Sequence, residues 1–195
     1  MLTLILDSAD KNLLVALFKD GKKLDEISYE AWQRQSELMI PELKNILDRN
    51  KINPKEVNEI VVTLGPGSYT GVRIALTIAK IYAMSLSIPC YAVSSLGALK
   101  NKEGTSICLI NARSNRSYFG VYDANGEAII NDKVLKNDEV INYINEHKSY
   151  HVCGDTAYLN ISGENNDIAS NMYSLRSEKT LVDNILALKA VYLKD

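Results

Sequence analysis

Apolar residues fill Leu2-Thr3-Leu4-Ile5-Leu6 almost without a break before Asp7 interrupts them, and so short a run predicts a strand. Leu13–Phe18 predicts a second strand and Lys22–Tyr29 a third. The Lys19-Asp20-Gly21-Lys22 turn joins them, because Asp-Gly between two extended runs is a hairpin signal. From Ser36 to about Asn50 the pattern changes period: Met39, Leu43, Ile46 and Leu47 recur on one helical face. Asn53-Pro54 reads as an N-cap and first helical residue of a short turn. Glu59–Leu64 is a strand rich in Ile and Val, Gly65–Gly71 a turn, and Val72–Leu86 a long helix. Pro89–Val93 is a further strand, and Ser94/Ser95 cap a helix to about Leu99.

The second half restarts the pattern. Ser106–Asn111, Ser117–Tyr122 and Ala128–Leu135 predict three strands, with Asp123-Ala124-Asn125-Gly126 as the hairpin between the last two. Asn137/Asp138 cap a helix to about Glu146, and Tyr150–Cys153 is a strand. Ser162–Asp167 reads as loop. A last helix is expected from Thr180 to Val191, where Leu181, Ile185, Leu188 and Val191 keep helical spacing. The boundary between halves is placed near Asn101–Thr105, giving units 1–102 and 103–195. The order β-β-β-α-β-α-β-α resembles the ribonuclease H-like unit of the actin, sugar kinase and Hsp70 superfamily. The expected class is therefore α/β, with two such units, the second reduced.

Composition narrows the functions. Lys and Arg number 22 and Asp and Glu 24, for a net charge of -2, which argues against a chain that grips nucleic acid unaided. Cys90, Cys108 and Cys153 are three scattered thiols in apolar surroundings and read as buried cysteines of a reducing cytosol, not as a disulfide framework or zinc site. The opening apolar run is too short for a signal segment and has no basic lead. No stretch approaches the ~18 apolar residues of a membrane span. The expected location is cytoplasmic.

The most informative run is Leu64-Gly65-Pro66-Gly67-Ser68-Tyr69-Thr70-Gly71-Val72-Arg73-Ile74-Ala75. Glycines between a strand and a helix permit a tight turn, and amides at a helix N-terminus can hold an anion. No Gly-Lys-Ser/Thr follows, so this is not a Walker A loop, and the spacing is not a dinucleotide fingerprint. A structural strand-to-helix turn is the preferred physical reading. Along the helix, Val72, Ala75, Leu76, Ala79, Tyr82, Ala83 and Leu86 fall on one side, while Ile74, Ile78 and Ile81 fall on the opposite side with the small Ser85. Two apolar stripes fit an internal helix of a three-layer domain and a helix with one side on a partner equally well.

Gly-Pro-Gly-Ser-Tyr-Thr-Gly-Val-Arg-Ile, followed by Ala79-Lys80 and Val93-Ser94-Ser95-Leu96, resembles the signature of the TsaB (YeaZ) family. Further matches lie in order along the chain: Leu4-Ile5-Leu6-Asp7-Ser8-Ala9, Gln35-Ser36-Glu37-Leu38-Met39-Ile40-Pro41, Asn111-Ala112-Arg113 with Tyr118, and Ala190-Val191-Tyr192-Leu193-Lys194. The chain departs from the family pattern at Gln35, where His is usual, at Asn111, where Asp is usual, and at Arg116, where Glu is common. The resemblance implies a non-catalytic scaffold and activator without a metal site. Such a subunit pairs with a TsaD-like enzyme and works with a TsaE-like ATPase. The assembly transfers threonylcarbamoyl to the tRNA adenosine next to the anticodon. It implies a partner interface on the first unit's helices, assigned to Ser36, Met39, Ile40, Leu43, Tyr69, Arg73, Ile74, Thr77, Ile78 and Ile81. The same face can self-associate into a homodimer. tRNA is met through the complex, and the subunit has no cofactor of its own, with ATP or ADP held in the complex.

Other chemistry is sparse. The two histidines, His147 and His151, are four apart but enter a predicted strand, and a solvated helix end is the simpler reading than a metal site. Asp7, Lys11, Gly65 and Gly67 are the residues for a residual nucleotide role. For Asp7, a strand-end carboxylate capping a turn is preferred. A small ATP-dependent phosphotransferase of the same superfold is the alternative function. A peptidase reading finds no nucleophile and base pair.

Overall fold

The computed structural model describes residues 1–193, so Lys194 of the terminal motif lies outside the described residues. Its first sheet has the order β3-β2-β1-β4-β5, built from β1 (Leu2–Asp7), β2 (Asn12–Lys19), β3 (Lys22–Glu30), β4 (Glu59–Thr63) and β5 (Cys90–Val93). β1, β2 and β3 form an antiparallel meander, while β4 pairs with β1 and β5 with β4 in parallel. Parallel neighbours need crossovers, and α1 (Gln35–Arg49) and α2 (Tyr69–Leu86) supply them. Every residue of β1 and β4 is buried. They are central strands covered on both faces, which is why their sequences run apolar instead of alternating. This is the ribonuclease H-like arrangement.

One face of the sheet, including Leu4, Leu6, Ile60 and Val62, packs under Met39 and Ile46 of α1 and Ala75 and Ala79 of α2. The second sheet has the order β8-β7-β6-β9, from β6 (Ser106–Arg113), β7 (Arg116–Tyr122), β8 (Ala128–Lys136) and β9 (His151–Gly154). α3 (Asn137–Glu146) covers one face through Val140 against Ile107, Leu109 and Phe119. The other face, with Cys108, Ile110 and Cys153, meets Leu96 of the connecting segment. All three cysteines are free and buried. Four strands with one crossover helix make this the reduced copy.

Three expectations are corrected. The helix predicted over Thr180–Val191 does not form. The segment is an irregular strap that extends the first sheet: Ala92 N–H donates to Thr180 O (2.8 Å), Val182 N–H to Cys90 O (2.9 Å), and Leu181 bridges Tyr91 in antiparallel sense. The free edge of β5 offers backbone partners that helical pairing within the segment would forgo. Asn184 then turns the chain, its Oδ1 accepting from Leu186 N (3.1 Å) and Ala187 N (3.3 Å). The apolar spacing is still used in part, since Ile185 and Leu188 pack on the core while Leu181 stays exposed. In addition, α4 (Ile168–Ser174) forms just after the expected Ser162–Asp167 loop, in a stretch for which the sequence predicted no element. Asp167 caps it by accepting from Ser170 N (3.0 Å), and Ala169 and Met172 cover the other face of the first sheet against Ile5, Ala16 and Val61. Finally, the helix after Ser94/Ser95 shrinks to a 3₁₀ turn, Gly97–Leu99. Ser94 alone caps it, accepting from Leu96 N (3.1 Å) and Gly97 N (3.2 Å), while Ser95 is simply buried.

Arg176 pins the chain after α4 to the start of β4. Its guanidinium bonds the buried Glu59 carboxylate, lies 3.7 Å over the Tyr173 ring and donates to Tyr173 O at 2.9 Å. Thr3 Oγ donates to the same carboxylate at 2.6 Å.

Candidate functional site

The glycine turn is built by close approach of backbone to backbone. A Cβ at Gly67 would lie 2.3 Å from Ala9 O, and one at Gly65 would lie 2.6 Å from Val191 O. Ser68 N–H donates to Ala9 O (2.6 Å), and Val191 N–H to Leu64 O (2.7 Å). Asp7, at the end of β1, is buried and accepts from Ala9 N (3.0 Å) and from the Thr63 hydroxyl. Burial raises its carboxyl above the usual range. Gly65, Gly67 and Asp7 thus have partners within the chain that explain them, and Asp7 caps a turn as the plainer reading expected. Lys11 stands apart from them, with its Nζ 3.9 Å from Asp155 Oδ1 of the second unit.

The two stripes of α2 behave differently. Val72, Ala75, Leu76, Ala79 and Ala83 are buried on the sheet. On the opposite side Ile81 is 61% exposed, and Ile74 and Ile78 are only partly covered. The internal-helix reading is thereby excluded for that stripe. Beside it, Ile40 of α1 is also 61% exposed, and the two helices frame a shallow groove in two adjoining hollows of about 420 Å³ each. Ile40, Ile78, Ile81 and Tyr82 line one hollow, and Ser36, Tyr69, Arg73, Ile74 and Thr77 line the other together with Ile40 and Ile78. Arg73 Nη1 donates to Tyr69 OH (2.6 Å), and the Tyr69 ring stacks on Tyr192 at 4.9 Å. Two interface assignments are corrected. Met39 is fully buried and Leu43 nearly so, because both carry the core-facing stripe of α1; only the edge of Leu43 reaches the groove. Helical period reports burial and does not distinguish core from partner.

Between the units lies a cleft of about 670 Å³. Asp10, Lys11, Glu30 and Trp32 line it from the first unit, and Asn111, Arg113, Tyr118 and Asp155 from the second. The Arg113 guanidinium sits 5.1 Å over the Trp32 ring and so crosses from one unit to the other. Burial and the nearby Asp155 push the Asp10 carboxyl up to about 6. The departures from the family pattern serve this region: Gln35 Nε2 donates to Asp10 O at 3.1 Å, and Asn111 Oδ1 accepts from Arg113 N at 2.9 Å. Arg116 is exposed at the start of β7.

Residues 29–190 match the family described as TsaD: tRNA N6-adenosine threonylcarbamoyltransferase. A Bacillus subtilis protein named tRNA threonylcarbamoyladenosine biosynthesis protein TsaB is 29% identical over 206 residues, covering 94% of this chain and 90% of its own. The chain belongs to the TsaD family, in its TsaB (YeaZ) branch. The Escherichia coli TsaB is 31% identical over 135 residues, covering 65% of this chain and 58% of its own. A Pseudomonas aeruginosa YeaZ structure superposes with a TM-score of 0.78 at 23% identity over 98% of this chain and 99% of its own. A Pseudomonas aeruginosa protein described as similar to peptidase YeaZ superposes with a TM-score of 0.82 at 24% identity, covering 99% of each chain. Both likenesses speak to fold.

The two histidines stand on different elements, each with a partner of its own. His147 ends α3, stacked on Tyr143 at 3.9 Å, and His151 opens β9, with Nδ1 2.8 Å from Glu164. Sequence reasoning missed the cleft residues Asp10, Glu30, Trp32 and Asp155. They come from three separate places, the β1–β2 turn, the β3–α1 junction and the end of β9, and no spacing rule joins them. The one available signal was Trp32, a large apolar residue in the polar stretch between β3 and α1.

A pH test follows from Asp10. Its folded pKa lies above the unfolded value, so the native state holds the extra proton between about pH 4 and 6, and stability falls as pH rises through that window. Asp10→Asn is expected to be more stable than the parent by about 2 kcal/mol at pH 7.5, with the difference gone below pH 4. Denaturant unfolding at the two pH values checks this.

Proposed function

We propose that the chain is a non-catalytic subunit in threonylcarbamoyladenosine biosynthesis on tRNA, and that it activates a TsaD-like enzyme by docking its α1–α2 face. The observation that carries the reading is the open apolar groove, where Ile40 and Ile81 stand exposed beside core residues of the same two helices. Exposed apolar surface of this kind on a small domain marks an interaction site. The relatives' names supply the pathway. A TsaE-like ATPase joins the assembly, tRNA is met through the complex, and a second copy of the chain competes for the face. The filled glycine turn supports a subunit without a nucleotide of its own at that turn.

Co-purification with the TsaD-like enzyme of the same organism tests the proposal. The parent chain should give a stable heterodimer that modifies tRNA in the presence of the TsaE-like protein. Ile81→Asp and Ile78→Asp should weaken the pair at least 100-fold, about 3 kcal/mol, because a carboxylate is buried unpaired at the centre of the contact. For Ile81→Asp, at an exposed position, the monomer's unfolding free energy should stay within about 0.5 kcal/mol of the parent, whereas Ile78→Asp should cost more because Ile78 packs partly on the core. Rapid ATP-Mg turnover by the isolated chain, or an intact heterodimer with either variant, would overturn the reading.

A further inference from the structure

The cleft between the units shares only Tyr69 with the docking groove. Three carboxylates line it, Asp10, Glu30 and Asp155, against two cations, Lys11 and Arg113. The balance is acidic, which repels phosphate. The amide of Ser68, where the glycine turn meets the cleft, is already spent on Ala9 O. Four aromatic residues share the lining, Trp32, Tyr69, Tyr118 and Tyr192, with small, amide and aliphatic residues between them. Trp32 is 40% exposed and Tyr192 is 45% exposed; Arg113 lies over one face of the Trp32 ring and Tyr69 stacks on one face of Tyr192, so surface for a ligand remains on the other side of each. Flat heteroaromatic rings stack on such side chains and on guanidinium planes. Ionised carboxylates only accept hydrogen bonds, so they select a ring edge that carries donors side by side. A cavity of this volume is of ligand size.

We infer that this cleft binds an uncharged nucleoside through a base with adjacent N–H donors, the class of guanosine, and that it discriminates against nucleoside triphosphates. Stacking on Trp32 and Arg113 supplies the contact area, and Asp10 with Asp155 accepts from the base edge. Guanosine presents a ring N–H beside an exocyclic amine, whereas adenosine places an acceptor beside its amine, so guanosine is the better match to a carboxylate. The elevated Asp10 carboxyl is consistent with a group kept for a ligand at a cost in stability. The source is a free nucleoside or an unpaired base of an RNA strand.

The experiment is direct, because Trp32 is the chain's single tryptophan and its fluorescence reports the cleft alone. Titration of the full chain with guanosine should quench it saturably, with adenosine at least threefold weaker and GTP-Mg or ATP-Mg at least tenfold weaker. A guanine-containing single-stranded tetranucleotide binding more tightly than guanosine assigns the source to RNA; the reverse order assigns a free nucleoside. Asp10→Asn should lose at least tenfold in guanosine affinity while unfolding no earlier than the parent, which separates lost recognition from lost fold. Glu30→Gln provides a second variant with Trp32 intact and should weaken binding in the same direction. Absence of saturable quenching, triphosphates binding as tightly as guanosine, or an unchanged affinity in Asp10→Asn would overturn the inference. None of these outcomes depends on whether a TsaD-like enzyme docks on α1–α2.

Discussion

Gly71→Ala is expected to destabilise the chain by about 3 kcal/mol, although alanine is the better helix former by about 1 kcal/mol. The alanine Cβ would lie 2.0 Å from Ser8 O and 3.3 Å from Ser68 Cβ. The first neighbour is backbone and has nowhere to retreat, since Ser8 Oγ also donates to Gly71 O at 2.7 Å and β1 is buried along its length. α2 must therefore rise off the sheet or the β1–β2 turn must move, and either opens the core under Ala75 and Ala79. Denaturant unfolding of purified monomer measures the change. A neutral or stabilising result would show that the turn is looser than this packing. Gly21→Ala is the comparison: its positive φ of 85° imposes strain, yet the nearest neighbour is Tyr173 OH at 4.0 Å. Its cost should be about 1 kcal/mol, from backbone strain alone.

Arg176→Ala should cost about 3–5 kcal/mol, the range found when one partner of a buried ion pair is removed and the other is left behind. Glu59 is 4% exposed, and its carboxylate keeps only the Thr3 hydroxyl once the guanidinium is gone. The same change removes the stack on Tyr173, whose ring in turn stacks on Phe18 at 4.3 Å. Glu59→Gln in the Arg176→Ala background is expected to recover part of the loss, because the amide removes the stranded charge. A double-mutant cycle by thermal unfolding separates the two contributions. If Arg176→Ala and the double variant unfold alike, the charge pairing is not what holds the segment.

Much of this fold was legible because its central strands and crossover helices carry local signals. β1 and β4 show nearly continuous apolar runs, and α1 and α2 show a 3.6-residue period, since burial imposes those patterns whatever the distant chain does. The strap over residues 180–191 escaped for the opposite reason. Its apolar spacing is helical, but the edge of β5, about ninety positions earlier, competes for its amides. α4 escaped because seven residues with one buried stripe give too few turns to register against a polar neighbourhood. At the candidate face the sequence located the helices and the outward stripe correctly. It assigned Met39 to the wrong side because core and interface share the same chemistry. The cleft was illegible: Asp10, Trp32, Arg113 and Asp155 meet only after two sheets are assembled.

The strap also dictates when the first unit can be finished. Val191 N–H bonds Leu64 O, Val191 O sits against Gly65, and Lys80 Nζ reaches the carbonyls of Leu186 (3.1 Å) and Leu188 (3.0 Å). These contacts join the middle of the first unit to residues 186–191 of the strap. A ribosome delivers the meander, α1 and α2 before the strap, so the side of α2 that carries Lys80 waits for residues 106 and 108 positions further on. Loop closure across the whole second unit must precede that final seal. Synthesis itself therefore orders the assembly: α2 is translated well before the strap that locks it.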